Sequence, residues 1–157
     1  MDDCEQRVET SAIATGNDKA LKLFIVMSRA YRAVTERIQE DIRCHGLNLT
    51  EFAVLELLYH KGDQPLQQIG EKILLASGTI TYVVDKLEGK KLLERKACPT
   101  DRRVTYAVIS EEGRALMERI FPLHREEIHR IYDVLSGEEQ ETLIGMLKTL
   151  GRHAKSK

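Results

Sequence analysis

The sequence predicts a mainly α-helical fold with one small β-hairpin, in which a compact helix-turn-helix lies between two long terminal helices. Three observations predict it. Apolar residues recur at steps of three and four over most of the chain, the spacing that lines one face of a helix. The period changes to two only between Leu93 and Val108. The stretch Ser77–Lys91, SGTITYVVDKLEGKK, sets Ile80, Val83, Val84 and Leu87 on one face, with Ser77, Thr79, Thr81, Tyr82, Lys86 and Lys90 on the other. Hydroxyls and amines on the first turns of a helix suit phosphates and base edges.

Composition narrows the function classes. The length, 157 residues, suits one domain or one domain with an appended helical part. With 42% apolar and 31% charged residues the chain can build a core and remain mostly helical. The net charge of −1 makes it no polycation, so any nucleic-acid contact must come from a local basic patch. No apolar run of 18 residues exists, so no membrane span is expected. The start, MDDCEQRVETSAIATG, lacks the basic and apolar segments of a signal peptide, and a cytoplasmic location is expected. Cys4, Cys44 and Cys98 form no CxxC pair. His124 and His129 are five apart, off the spacing for two ligands on one helical face, and neither a metal nor a cofactor is expected. A phosphate loop, a nucleophile elbow and an HExxH motif are all absent from the sequence, so the chain is not read as an enzyme.

Taken in order, residues 1–17 read as a flexible arm. Asn17 or Asp18 caps a helix running to about Cys44, with Phe24, Met27, Tyr31, Val34 and Ile38 in one stripe and Gly46 as its terminator. Thr50 is the expected cap of a second helix, Glu51 to His60, with Phe52, Leu55 and Leu58 inward. Asp63-Gln64-Pro65 is a turn, and a short helix follows from Leu66 to Ile73 with Ile69 and Ile73 inward. Leu74-Leu75-Ala76 turns the chain into the helix capped by Ser77, which completes a helix-turn-helix. Leu93–Cys98 and Arg103–Val108 form a hairpin around Pro99-Thr100-Asp101-Arg102, in the position of a wing. Ser110 opens a helix to about Val134 with Glu111 and Glu112 in its first turn; Leu116, Ile120, Leu123, Ile128, Ile131 and Leu135 mark one side and Pro122 is expected to bend it. Ser136 and Glu139 form a capping box for a last helix carrying Leu143, Met146, Leu147 and Leu150. The organisation is thus an arm (1–17), a helical dimerisation region (18–46 and 111–153) and a DNA-binding winged helix-turn-helix (47–110). The terminal helices carry more apolar surface than so small a domain covers. A two-fold dimer is the simplest burial, and a single-chain bundle is the competing one.

Leu47-Asn48-Leu49-Thr50, Ser77-Gly78-Thr79-Ile80-Thr81, Asp101-Arg102-Arg103 and Ile109-Ser110-Glu111-Glu112-Gly113, in this order and at these distances, resemble the MarR family of bacterial transcription regulators over about residues 20–150. The resemblance implies a winged-helix homodimer that binds palindromic double-stranded DNA, commonly as a repressor. Carried over by position, it puts Ser77, Thr79, Thr81, Tyr82 and Lys86 at the major groove and Arg103 at the minor groove. Asp101 would orient that arginine, and Arg102 would lie at phosphate. An arginine gains from the concentrated negative potential of a narrow minor groove, and a prearranged one loses less entropy there. Lys86, Lys90, Lys91, Arg95, Lys96, Arg102 and Arg103 against Asp85, Glu88, Glu94 and Asp101 give this face a modest positive excess. Many members carry glycine where this chain has Lys91, so either the recognition helix stops early or Lys91 is left-handed. The alternative function is a winged-helix protein-interaction module without DNA binding.

Regulators of this family usually release DNA on a small-molecule or oxidant signal. The cysteine position of the peroxide-sensing branch corresponds to Val26, which leaves Cys98, near Arg95, Lys96 and Arg102, as the cysteine best placed for redox control. Leu47 to Glu88 resembles the quinone-responsive regulators of the family, which implies a phenolic or quinone-like inducer. Cys44, His45, Phe52 and the helix from Arg114 could then form pocket walls.

Overall fold

The computed structural model describes residues 18–73 and 80–156. The expected arm, Cys4, the turn at Leu74-Leu75-Ala76, the Ser77 cap, and the site residues Ser77 and Thr79 all lie outside the described residues. The chain divides into two units, one ending at Arg37 and the other starting at Ile38.

Helix α1, Lys19–Arg43, crosses that division. Asp18 caps it: its Oδ1 accepts the amide hydrogens of Ala20 and Leu21 at 3.0 and 3.2 Å. Along the first unit Leu21, Leu23, Phe24, Val26 and Tyr31 are exposed. Gly46, at φ +77, turns the chain after α1, as its position predicts.

In the second unit, α2 (Leu49–Lys61) is the centre of the core. Phe52, Val54, Leu55 and Leu58 are all buried, so more than one face is covered. The expected Thr50 cap is corrected to Asn48. Its Oδ1 accepts the Glu51 amide at 2.8 Å, and Glu51 Oε2 accepts the Asn48 amide at 2.9 Å. Asn with Glu three residues on closes a reciprocal capping box that Thr50, inside the first turn, cannot make.

Gln64–Pro65, expected as a turn, is instead a two-residue strand, β1. It pairs antiparallel with β3, Gln64 opposite Ala107 and Pro65 opposite Tyr106. Proline is tolerated because β1 is an edge. Helix α3, Leu66–Lys72, follows, with Ile69 and then Ile73 inward. Helix α4, Ile80–Gly89, buries Val83, Val84 and Leu87, the face the sequence assigns.

Strands β2 (Leu93–Ala97) and β3 (Thr105–Ile109) form the hairpin, Leu93 opposite Ile109 and Ala97 opposite Thr105. With β1 the sheet is three-stranded, in the order β1-β3-β2, rather than a two-stranded hairpin alone. The buried residues of β3 are Ala107 and Ile109.

Helix α5, Glu111–Tyr132, continues through Pro122. Its buried side is Gly113, Met117, Ile120 and His124, with Leu123 exposed where the periodicity expects it inward. The reason is tertiary. His124 stacks 4.6 Å from the ring of Phe52, and its Nδ1 lies 3.2 Å from Asp41 Oδ2, so a histidine with a polar partner fills the inward position. Helix α6, Gly137–Lys155, begins with the expected Ser136–Glu139 capping box. It has no buried residue; Leu143, Ile144, Met146, Leu147 and Leu150 are exposed.

Candidate nucleic-acid interface

Helices α3 and α4 and the β2–β3 hairpin are joined by one core, to which Ile69, Val84, Leu87, Leu93 and Ala107 all belong. Burying each of the larger of these side chains contributes about 1.5–3 kcal/mol, which keeps α4 docked on the domain.

That outer face has two stripes. Thr81, Asp85 and Glu88 are spaced by four and three, and Tyr82 and Lys86 by four, so the two sets occupy adjacent strips of one helix. Thr81, Tyr82 and Lys86 are exposed. The Lys86 ammonium lies 4.9 Å from the centre of the Tyr82 ring, and the Tyr82 side chain raises its pKa above the ordinary lysine value, mainly through hydrogen bonding. A cation seated on an aromatic ring presents charge and a flat apolar surface together.

The hairpin tip is built from backbone hydrogen bonds. The Cys98 amide donates to Val104 O at 2.9 Å and the Val104 amide to Asp101 O at 3.0 Å. Asp101 Oδ1 accepts the backbone amide of Arg103 at 3.0 Å, while the Arg103 Nε stays 4.0 Å away. Asp101 therefore orients Arg103 mainly through its backbone, and the guanidinium, on a side chain 95% exposed, projects freely. Arg102 is exposed beside it.

Two members of the basic patch have other work. Lys90 Nζ donates to Gly46 O and to Glu51 Oε2. Arg95 donates one guanidinium nitrogen to Asp85 and the other to Glu88, and its pKa is raised, chiefly by the Asp85 hydrogen bond. The outward cations are Lys86, Lys91, Lys96, Arg102 and Arg103. Sequence reasoning missed both pairings. The i, i+3 spacing of Asp85 and Glu88, with an arginine on the next element, was the available signal.

Lys91 is left-handed, at φ +59, and α4 ends at Gly89, so the helix both stops early and turns through a lysine. The end of α4 is then fastened. The Ser110 hydroxyl donates to Lys91 O at 2.7 Å and the Ser110 amide to Leu92 O at 3.1 Å. Gly113 passes so close to this segment that a Cβ there would lie 2.0 Å from Leu92 O. The Ser-Glu-Glu-Gly motif is thus a knot tying the wing's first strand to α5.

Cys98 is half-buried, and its pKa is lowered chiefly by a hydrogen bond from the Thr100 hydroxyl, 3.2 Å from its Sγ. Of the three basic residues expected to favour the thiolate, Arg95, Lys96 and Arg102, Arg95 is held instead by its two carboxylates. Cys44 is exposed. Among the described residues no group of three His, Cys, Asp or Glu is placed to hold a metal ion, and no helix is long and apolar enough to cross a membrane.

Comparison with known proteins agrees with this geometry. The model of the MarR family matches residues 47–105, the whole helix-turn-helix and most of the wing. The chain is 65% identical over 138 residues to the HTH-type transcriptional regulator MhqR of Bacillus subtilis, covering 88% of this chain and 95% of that protein. In fold it is similar to AbsC, a MarR family transcriptional regulator from Streptomyces coelicolor, with a TM-score of 0.81 at 21% identity over 90% of this chain and 97% of that one. It is also similar to Sco3205 of the same organism, a family member solved in complex with DNA, with a TM-score of 0.79 at 16% identity over 87% and 88% of the two chains. The helix-turn-helix, the arginine-tipped wing and the identity to MhqR over nearly its whole length together establish that the chain belongs to the MarR family of transcriptional regulators.

Proposed function

We propose that the chain is a DNA-binding transcriptional regulator that acts as a homodimer on a palindromic operator, most simply as a repressor. The observation that carries this is the joint presentation of Tyr82 and Lys86 on α4 and of Arg103 on the wing, from elements fastened to one core. Thr81, Tyr82 and Lys86, with Ser77 and Thr79 in the preceding segment, are the residues for the major groove. Arg103 enters the minor groove, Asp101 shapes its turn and Arg102 meets phosphate. The exposed apolar stripe of α6, and separately that of α1, suit a second copy of the chain. Half-sites then fall about one helical turn, roughly 34 Å, apart.

Release by a small phenolic or quinone-like molecule is the matching regulatory reading, supported by the 65% identity to MhqR and by the resemblance of residues 47–88 to quinone-responsive members. Oxidation at Cys98 is the second signal route, favoured by its lowered pKa and its place on the wing.

The test is binding to a labelled duplex from the chain's own upstream region across a salt series, with Arg103→Ala beside the unchanged protein. Tight binding that weakens steeply with salt, and a loss of about tenfold or more in the variant, is expected. Absence of binding at low salt, to that duplex and to pooled genomic fragments, would favour the protein-interaction module. Adding quinones and peroxides to the bound duplex then separates the two signals, with Cys98→Ser insensitive only if the thiol is the sensor.

A further inference from the structure

We propose that Arg95 is a positioning residue that sets the roll of α4 against the wing, and thereby the preference for the specific site over other DNA. The inference rests on the DNA-binding reading above. Val83, Val84 and Leu87 hold α4 to the core, but apolar contact is not directional and resists rotation about the helix axis only weakly. A roll of about 10° moves a side-chain tip some 6 Å from the axis by about 1 Å. That is enough to carry a good hydrogen bond to a base edge out of range.

Arg95 supplies the missing direction. Its backbone is fixed in the ladder opposite Ala107, a fully buried residue of the central strand. Its guanidinium is a planar fork, with one nitrogen on Asp85 and the other on Glu88. Those carboxylates lie three residues apart along one strip of α4. Two charge-assisted bonds from a rigid fork to points almost a turn apart fix both roll and tilt. The same fork is thereby occupied. Arg95 is 25% exposed on its side chain where Arg103 is 95%, so Arg95 acts through α4 and not at phosphate.

Asp85 and Glu88 make the proposal testable by sign. Carboxylates on a helix facing DNA repel phosphate, so electrostatics alone predicts that removing them tightens binding to any duplex. If they hold Arg95, removing them loosens the specific complex instead.

The experiment uses a duplex that the unchanged full chain selects from pooled genomic fragments, and a scrambled duplex of the same composition. Affinity and salt slope are measured for the unchanged chain, Arg95→Gln, Arg95→Lys and the double variant D85N/E88Q, with thermal melts to establish folding. The expected result for Arg95→Gln is a loss of about tenfold on the selected duplex, little change on the scrambled one and an unaltered salt slope. D85N/E88Q should bind the selected duplex more weakly and the scrambled duplex more tightly. Arg95→Lys keeps the charge but not the fork and should fall between. A salt slope reduced by about one, with equal losses on both duplexes, would make Arg95 a phosphate contact and overturn the proposal. So would D85N/E88Q tightening both, which decides the matter even if Arg95→Gln fails to fold. If the unchanged chain selects no duplex, the regulator reading falls first and this proposal with it.

Discussion

Lys90 Nζ lies 2.9 Å from Oε2 of Glu51, a carboxylate only 3% exposed, and 3.0 Å from the carbonyl oxygen of Gly46. One ammonium thus joins the segment after the recognition helix to the corner between α1 and α2. Lys90→Ala removes the counter-charge while the Asn48 amide still donates to the same carboxylate. The Lys90 side chain is 40% exposed, which moderates the loss. A destabilisation of about 1–2 kcal/mol is expected, read as a lower urea midpoint at unchanged slope. An unaltered midpoint would mean that the pair contributes nothing to holding this end of α4.

Gly113 and Gly145 are both helical glycines, and alanine should act on them in opposite senses. At Gly113 the new Cβ would meet Leu92 O at 2.0 Å, a backbone atom held by Ser110. Gly113→Ala is expected to cost about 1–3 kcal/mol and to lower the melting temperature by several degrees. At Gly145 nothing lies within 4 Å, and alanine should stabilise by a few tenths to about 1 kcal/mol through helix propensity. Melts of the two single variants against the parent decide both.

The Thr100 hydroxyl favours the Cys98 thiolate, so Thr100→Val should move the thiol's titration to higher pH. At a fixed neutral pH the thiolate fraction falls, and alkylation of Cys98 by iodoacetamide should slow by roughly two- to threefold. The rate–pH profile of the variant lies to the alkaline side of the parent's. An unmoved profile would assign the lowered pKa to the backbone amides of Thr100 and Asp101 alone.

If the α6 stripe is the surface that meets a second copy, a charge in its middle should prevent assembly. Leu147, on a helix with no buried residue, is a suitable place. Leu147→Glu is expected to halve the mass seen by sedimentation and, because a palindrome needs both halves, to lower operator affinity by about two orders of magnitude or more. A variant that keeps the parent's mass would exclude this face as the interface.

The sequence made the recognition helix and hairpin legible because both rest on local signals. Val83, Val84 and Leu87 return as the buried face of α4 with Ile80 partly buried beside them, and the change of period at Leu93 as the start of β2. The Ser110 and Ser136 caps were legible for the same reason, since a cap and its partner lie within one turn. Apart from the Asn48 cap, where Thr50 two residues on offered a competing signal, what escaped depends on residues far apart. Gln64 and Pro65 have no period to display, and become a strand only because Ala107 and Tyr106 come alongside. His124 belongs inside because Asp41 and Phe52 meet it there. Lys90 and Arg95 read as cations of a DNA-binding surface until Glu51, Asp85 and Glu88 are seen to engage them.

Lys91 has a consequence for how far this chain can be stabilised. A side chain in the left-handed region costs about 1 kcal/mol relative to glycine, which suffers no Cβ clash there. Lys91→Gly would therefore relax the backbone and raise stability, yet it would delete an outward ammonium beside the recognition helix. Lysine here trades a relaxed chain for a charged surface, and a search for more stable variants would select against the charge at this position.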